Sequence, residues 1–149
     1  KKLPSEKILK ICNLLDHPVI LLGGNDEYNT GEEIRSKSNG NILNFAGKIS
    51  LNESASLVRD ANVVLTNDTG LMHIAAAFRK KILSFWGNTV PEFGMVPYQS
   101  HPASKIMEVH KLKCRPCSKL GYRKCPKRHF KCMLEMNVNE VVQWVNRNF

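Results

Sequence analysis

Membrane spans, signal peptides, internal repeats and low-complexity linkers are all missing from this sequence. No apolar run approaches the roughly 20 residues that a membrane-spanning helix needs, and no signal peptide stands at the start. The chain opens on Lys1 rather than on Met, so we expect it to be part of a longer protein. Its 149 residues and ordinary apolar content predict one globular domain with a substantial core.

Acidic residues are missing from one stretch of the chain. From Lys111 to Lys131 there are nine Lys or Arg and no Asp or Glu, while the remainder carries thirteen residues of each sign. The formal charge of +9 therefore belongs to one segment and not to the whole surface. A basic segment of this kind can bind nucleic acid, an anionic membrane surface or an acidic glycan, or it can be a solvated loop.

Four of the five cysteines lie in the same stretch, so about residues 110–135 form a Cys-rich basic segment. The spacing C-x2-C-x7-C-x6-C can supply four thiolates to zinc, and reduced thiols used in packing are the alternative. Disulfides need an oxidising compartment, which nothing in the sequence indicates. The four residues are Cys114, Cys117, Cys125 and Cys132, whereas Cys12 stands on a predicted helix as a core residue.

Apolar runs alternate with helical patterns along the rest of the chain. Such alternation predicts an α/β fold, with one parallel sheet, helices on both faces and right-handed crossovers. The predicted strands are 18–22, 41–45, 63–65, 82–86 and 105–110. The predicted helices are 4–16, 32–38, 51–59, the stretch that contains His73, and a C-terminal helix after residue 137. Capping boxes are predicted at Ser50 with Glu53 and at Asn137 with Glu140.

Polar loops follow the predicted strands at 23–27, 47–49, 68–73 and 87–89. Because ligands of open α/β sheets bind outside the carboxyl ends of the strands, we expect these loops to share one ligand-binding edge. The first loop begins with Gly23-Gly24, a weak nucleotide-binding signal because the full G-x-G-x-x-G is missing. Asp26 and Glu27 in that loop can face a ligand or simply complement a helix dipole.

The tight turn Asp68-Thr69-Gly70 connects a buried strand to a helix of small apolar residues. A strand that enters a helix across a glycine turn leaves backbone N–H groups free at the helix start, which is a natural anion site. His73 lies in the first helical turn, beside the same mouth. The alternative is that Asp68 and Thr69 only cap the helix.

Asp-Thr-Gly-x-x-His followed by small apolar residues resembles the donor-site signature of glycosyltransferase family 9, the family of the ADP-heptose:lipopolysaccharide heptosyltransferases. The resemblance runs nearly end to end, and it includes Gly47-Lys48, the loop Gly87-Asn88-Thr89 and the late cysteine segment. It implies the C-terminal, Rossmann-like, nucleotide-sugar-binding half of a GT-B glycosyltransferase. The acceptor-binding half, which supplies the family's catalytic base, is not in this sequence.

The resemblance also implies roles for individual residues of the donor site. Asp68 corresponds to the carboxylate that holds sugar hydroxyls, and Thr69, Gly70 and His73 to the diphosphate turn. The remaining donor-site candidates are Glu27 at the ribose, Lys48 and Ile49 at the base, Lys1 at a phosphate, and Thr89 in the last loop. Asn88 and Val90 depart from the family's usual loop residues, as do Arg79 and Lys81 after the His73 helix.

The function that the resemblance implies is inverting sugar transfer without a metal or another cofactor, from a donor such as ADP-heptose to a lipopolysaccharide-type acceptor. The sequence contains no Asp-x-Asp motif for a metal-bound diphosphate. The expected partners are this donor, an anionic glycan acceptor, the N-terminal domain of the same enzyme and the membrane surface, with no nucleic acid. The expected location is the cytoplasm, at the inner face of a bacterial inner membrane.

Two other functions are compatible with parts of the sequence. A zinc-containing nucleic-acid module would use the Cys-rich basic segment, but it leaves most of the chain unexplained, and the aromatic stacking pattern of an RNA-binding sheet is missing. Another nucleotide-sugar enzyme of the same architecture, such as an epimerase or a lyase, is the second alternative. A product assay separates that alternative from a transferase.

Overall fold

Five strands alternate with helices in the computed structural model, which describes residues 2–122 and 124–149. The strands are β1 Val19–Leu21, β2 Ile42–Asn44, β3 Val63–Asn67, β4 Lys81–Trp86 and β5 Lys105–Glu108. The α-helices are α1 Ser5–Leu14, α2 Tyr28–Lys37, α3 Leu51–Asp60, α4 Gly70–Ala77, α5 Lys131–Leu134 and α6 Val138–Asn148. Short 3-10 turns cover Asn25–Glu27 and Pro91–Phe93. The α/β class predicted from the alternation is confirmed.

All strand pairs are parallel, but the strands form two hydrogen-bonded groups instead of the single sheet that the sequence predicts. β1 pairs with β2, and β4 lies between β3 and β5. Across the boundary between the groups, contact is made by side chains, because Leu3, Val19, Val63 and Leu65 share one apolar cluster. β1 and β2 have only three residues each, which limits the backbone ladder that they can extend to a neighbour.

Two apolar layers lie on opposite faces of β4. Leu83 and Phe85 pack in the cluster that includes residues of α1 and α6. Ile82 and Trp86 pack in a second cluster, with residues of α3 and α4. Successive strand residues point to opposite faces, so this run of buried residues is what a strand covered on both sides requires.

The loops that follow the strands share one edge, as predicted. Gly47 donates its backbone N–H to the carbonyl of Gly23, so the loops after β1 and β2 touch. The backbone N–H of Leu3 donates to Asn67 Oδ1 at the end of β3, while the adjacent Lys2 pairs with Glu27 after β1. The N-terminal residues therefore connect the carboxyl ends of β1 and β3.

The N-terminal caps of the helices agree in part with those that the sequence predicts. The capping box of Ser50 and Glu53 is formed as predicted. Asn137 caps α6 through Glu140 N–H, but the Glu140 carboxylate pairs with Lys105 on β5. The predicted reciprocal box at Asn137 is therefore wrong in that half, because a cation competes for the carboxylate. Among the residues described, the helices are all too short or too polar to cross a membrane.

Candidate functional site

The turn after β3 and the loop after β4 meet at Asp68. β3 and β4 are neighbours in register, with Asn67 opposite Phe85, so the residues that follow them emerge side by side. The hydroxyl of Thr89 donates to Asp68 Oδ2 over 3.4 Å. Thr89 is 1% exposed, whereas Asp68 is partly exposed. The structure thus brings together two residues that the sequence places in separate loops.

The start of α4 is open to solvent on its outer side. Thr69 is the N-cap residue, but its hydroxyl lies 3.3 Å from Thr66 Oγ1 instead of on a helix amide. Gly70 is exposed, and a Cβ built there would meet no atom of the described residues within 4 Å. His73 is exposed one turn further along. The turn can therefore accept an anion against its first amides without displacing a side chain.

Met72, Ala75 and Ala76 fix the direction of α4 because they are buried on the side that faces the sheet. Gly70 and His73 are three residues apart, so they lie on one face of the helix. Asp68, Gly70 and His73 therefore belong to the turn after β3 and the first turns of α4, at the carboxyl end of that strand. The predicted role of these residues in donor binding remains a prediction.

Glu27 lies at the same edge, but it already has partners. Its carboxylate pairs with Lys2 and also accepts the Gly24 N–H over 2.7 Å. The hydrogen bond from Lys2 is the main reason that the pKa of Glu27 is lowered, with the Gly24 N–H adding to the effect. A ribose hydroxyl at this carboxylate would share it with Lys2.

Lys48 and Ile49 lie beyond β2, near the N-terminal end of α2. Lys48 Nζ lies 3.3 Å from Glu32 Oε1 and 5.0 Å from the centre of the Tyr28 ring. Hydrogen bonds from Asn44, Arg35 and Lys48 lower the pKa of Glu32 to about 2. Ile49 is partly buried. The predicted phosphate ligand Lys1 lies outside the described residues.

Arg115 is a residue that the sequence analysis missed. It counts as one more cation of the Cys-rich basic segment, yet its side chain is only 7% exposed and pairs with Glu108 over 2.8 Å. Its guanidinium reaches the loop after β4, where it donates to the carbonyl of Thr89 over 3.0 Å. Nothing in the sequence distinguishes it from the exposed lysines around it.

The cysteines of the basic segment do not converge as a set of metal ligands in the part of the chain that the structure describes. Within residues 2–122 and 124–149, no group of three or more His, Cys, Asp or Glu side chains is placed to hold a metal ion, and all five cysteines are free. Backbone N–H groups of residues 127–130, that of Phe130 first, lower the pKa of the Cys125 thiol. Burial raises the pKa of Cys132. The zinc alternative therefore gains no support from the arrangement of the thiols.

Comparison with known proteins gives a family match. The model of "Glycosyltransferase family 9 (heptosyltransferase)" matches residues 5–127. Lipooligosaccharide heptosyltransferase 2 of Haemophilus influenzae is 33% identical over 130 residues, which cover 81% of this chain and 37% of that protein. Its counterpart from Haemophilus ducreyi is 26% identical over 99% of this chain and 43% of its own length. The chain thus spans less than half the length of these relatives.

Two solved structures have a similar fold. The ADP-heptose lps heptosyltransferase II of E. coli matches 99% of this chain and 41% of its own, with a TM-score of 0.78 and 23% identity. A family 9 glycosyl transferase from Veillonella parvula matches the same shares, with a TM-score of 0.77 and 18% identity. These likenesses confirm the predicted α/β fold with parallel strands flanked by helices.

Proposed function

Because this chain belongs to glycosyltransferase family 9, we propose that it is the nucleotide-sugar-binding half of a heptosyltransferase-like enzyme. One observation carries the proposal: Asp68 and Thr89 are in contact beside the open start of α4, at the edge where α/β sheets bind ligands. The proposed donor is ADP-heptose, the donor that the family resemblance implies. An epimerase or lyase has no observation in its favour.

In the proposed site, neighbouring residues bind different parts of the donor. The diphosphate lies at the amides of Thr69 and Gly70, where the helix start favours negative charge, with His73 beside it. Asp68 would repel a phosphate, so it takes the sugar and accepts hydrogen bonds from its hydroxyls. Glu27 takes the ribose, and Lys48 and Ile49 line the space for the base. Thr89 supports Asp68 through its hydroxyl.

The proposed reaction is transfer with inversion at the anomeric carbon. An acceptor hydroxyl oxygen forms the new bond while the bond from the anomeric carbon to the diphosphate oxygen breaks, and the nucleoside diphosphate leaves with the bonding electrons. The start of α4 stabilises the charge that develops on this leaving group. The acceptor proton passes to a base on the N-terminal half of the enzyme. Metal-independent transfer is part of the proposal because the family resemblance implies it.

The acceptor and the location are proposed from the charge of the molecule and from the relatives. The two Haemophilus relatives are named lipooligosaccharide heptosyltransferases, and we propose a lipopolysaccharide-type acceptor here. The exposed cations of the Cys-rich basic segment suit its phosphates or those of an anionic bilayer. We propose that the enzyme works in the cytoplasm, at the inner face of the bacterial inner membrane.

Calorimetric titration of the 149-residue chain tests the donor assignment. ADP and ADP-heptose are the expected ligands, with UDP and UDP-glucose as controls for the base and the sugar. Binding of the adenine nucleotides and rejection of the uridine ones is the expected result. A chain that binds none of the four is not a donor domain, and one that prefers the uridine pair has a different donor.

A further inference from the structure

Arg115 connects the Cys-rich basic segment to the loop after β4. It donates from Nη1 to the carbonyl of Val109 over 2.9 Å and from Nε to the carbonyl of Gly87. Its Nη2 donates to the carbonyls of Trp86 and Thr89 over 3.3 and 3.0 Å. A guanidinium has five donors in a rigid fork, so one side chain can hold several carbonyls at once.

Four consecutive carbonyls, from the last residue of β4 into the loop, are held from the same segment. Besides those of Trp86, Gly87 and Thr89, the carbonyl of Asn88 accepts the backbone N–H of Cys117 over 2.9 Å. The Asn88 side chain also donates Nδ2 to the carbonyl of Tyr122 over 2.9 Å. The conformation of residues 86–89 is therefore set by groups some 30 residues later in the sequence.

The charge of Arg115 is balanced inside the protein. Glu108, the last residue of β5, accepts Nη2 at 2.8 Å, and its own side chain is 16% exposed. A buried charge without a partner is strongly destabilising, so the pair is retained as a unit. Lysine would keep the charge but present a single nitrogen, which cannot reproduce the fork geometry.

This loop carries Thr89, whose hydroxyl donates to Asp68. Arg115 holds the Thr89 carbonyl, and Thr89 in turn contacts the carboxylate that is proposed to bind the sugar. We propose that Arg115 is a positioning residue for the donor site, which fixes the loop so that the Thr89 hydroxyl orients Asp68. This inference rests on the proposed function, because Asp68 must bind the donor sugar for the positioning to matter.

A double-mutant cycle tests the proposal. Arg115→Lys, Thr89→Val and the double variant of the 149-residue chain are titrated with ADP and with ADP-heptose. Each single variant is expected to lower the affinity for ADP-heptose about tenfold, which corresponds to about 1.4 kcal/mol of binding free energy, while the affinity for ADP stays within about twofold. The double variant is expected to match Thr89→Val, because Arg115 acts through Thr89. Strictly additive losses would show that Arg115 acts by another route and would overturn the proposal.

Trp144→Phe is the matched control for a general loss of stability. It removes the hydrogen bond from Trp144 Nε1 to the carbonyl of Ala103, which precedes β5 and so lies at the other end of the sheet. It should lower the melting temperature and leave both affinities unchanged. If Arg115→Lys does not fold, the paired variant Arg115→Gln with Glu108→Gln takes its place in the cycle, since it removes both charges together and leaves neither unpaired.

The outcomes also separate this inference from the function on which it rests. A wild-type chain that binds neither ADP nor ADP-heptose overturns the proposed function. A wild-type chain that binds ADP-heptose, with an Arg115→Lys variant that binds it equally well, overturns the positioning role alone.

Discussion

Single glycine positions near the site differ in the room that they leave for a side chain. At Gly70 a Cβ would meet nothing within 4 Å in the part of the chain that the structure describes, whereas at Gly31 it would lie 2.4 Å from Asn44 Oδ1. Both residues belong to helices, so propensity alone would favour replacing either of them. The open space at Gly70 is therefore free for a ligand, while the space at Gly31 is already occupied by a neighbouring side chain.

Gly70→Val should impair binding of the nucleotide without unfolding the chain. The added side chain finds free space in the unliganded protein, but it would lie where the proposed diphosphate approaches the helix start. We expect the affinities for ADP and ADP-heptose to fall at least about tenfold, or ~1.4 kcal/mol of binding free energy, with little change in melting temperature. Gly31→Val is the control, because its clash with Asn44 should lower the melting temperature. Unchanged affinity for both ligands in Gly70→Val would mean that the site lies elsewhere.

Asp68→Ala should affect recognition of the donor sugar and not that of the nucleotide. Removing a carboxylate beside the phosphates should leave the affinity for ADP unchanged or raise it. The lost hydrogen bonds should make the binding free energy of ADP-heptose less favourable by about 1.5–3 kcal/mol. Calorimetric titration with both ligands measures the difference. Equal losses for ADP and ADP-heptose would contradict the assignment of Asp68 to the sugar.

At the scale of elements, the Cys-rich basic segment has an inner and an outer side. Arg115 turns inward to the donor-site loop, whereas Lys113, Lys124, Lys127 and Arg128 are exposed. Gly87 allows the end of the segment to approach closely, since a Cβ there would lie 2.7 Å from Met133 Cε on α5. The segment is thus both a support for the site and a charged surface.

Reversing three outer charges should weaken binding to anionic membranes. The variant Lys124→Glu, Lys127→Glu and Arg128→Glu changes exposed residues and leaves Arg115 in place. Sedimentation with phosphatidylglycerol vesicles at low salt, where such attraction is strongest, should show less bound protein than wild type.

A matched control for this prediction reverses Lys10, Arg79 and Arg147, three exposed cations outside the segment. It alters the net charge equally and should bind vesicles better than the segment variant does. Equal binding by the two triple variants would mean that total charge, and not the segment, attracts the surface.

At the scale of the whole molecule, the sequence predicts the order of the helices and strands better than it predicts which strands pair. Apolar runs located all five strands to within two residues, because every strand contributes apolar side chains to one of the core clusters. They could not show that β1 and β2 form a separate group, since pairing depends on contacts between distant residues. The candidate site follows the same pattern: local turn chemistry predicts Asp68, Gly70 and His73, and their role in binding stays a prediction, whereas no local signal predicts the bond from Arg115 to the Thr89 carbonyl.

The isolated chain should bind the donor and transfer nothing. It spans 37% of the Haemophilus influenzae relative, and the proposed function assigns the catalytic base to the N-terminal half of the enzyme. A heptose-transfer assay with ADP-heptose and a lipopolysaccharide acceptor should therefore give no product, with a full-length family 9 enzyme as the positive control. Measurable turnover by these 149 residues would place a base within them.

The boundary between the two strand groups has a consequence for how the molecule opens. Backbone ladders join β1 to β2 in one group, and β4 to both β3 and β5 in the other. Side-chain packing and the bonds of Lys2 and Leu3 connect the two groups. Because local opening favours such weakly connected boundaries, we expect the amides of the two groups to exchange with solvent at different rates. A nucleotide held by Glu27 in one group and by the α4 turn in the other would connect the two groups, and its binding should slow amide exchange in both.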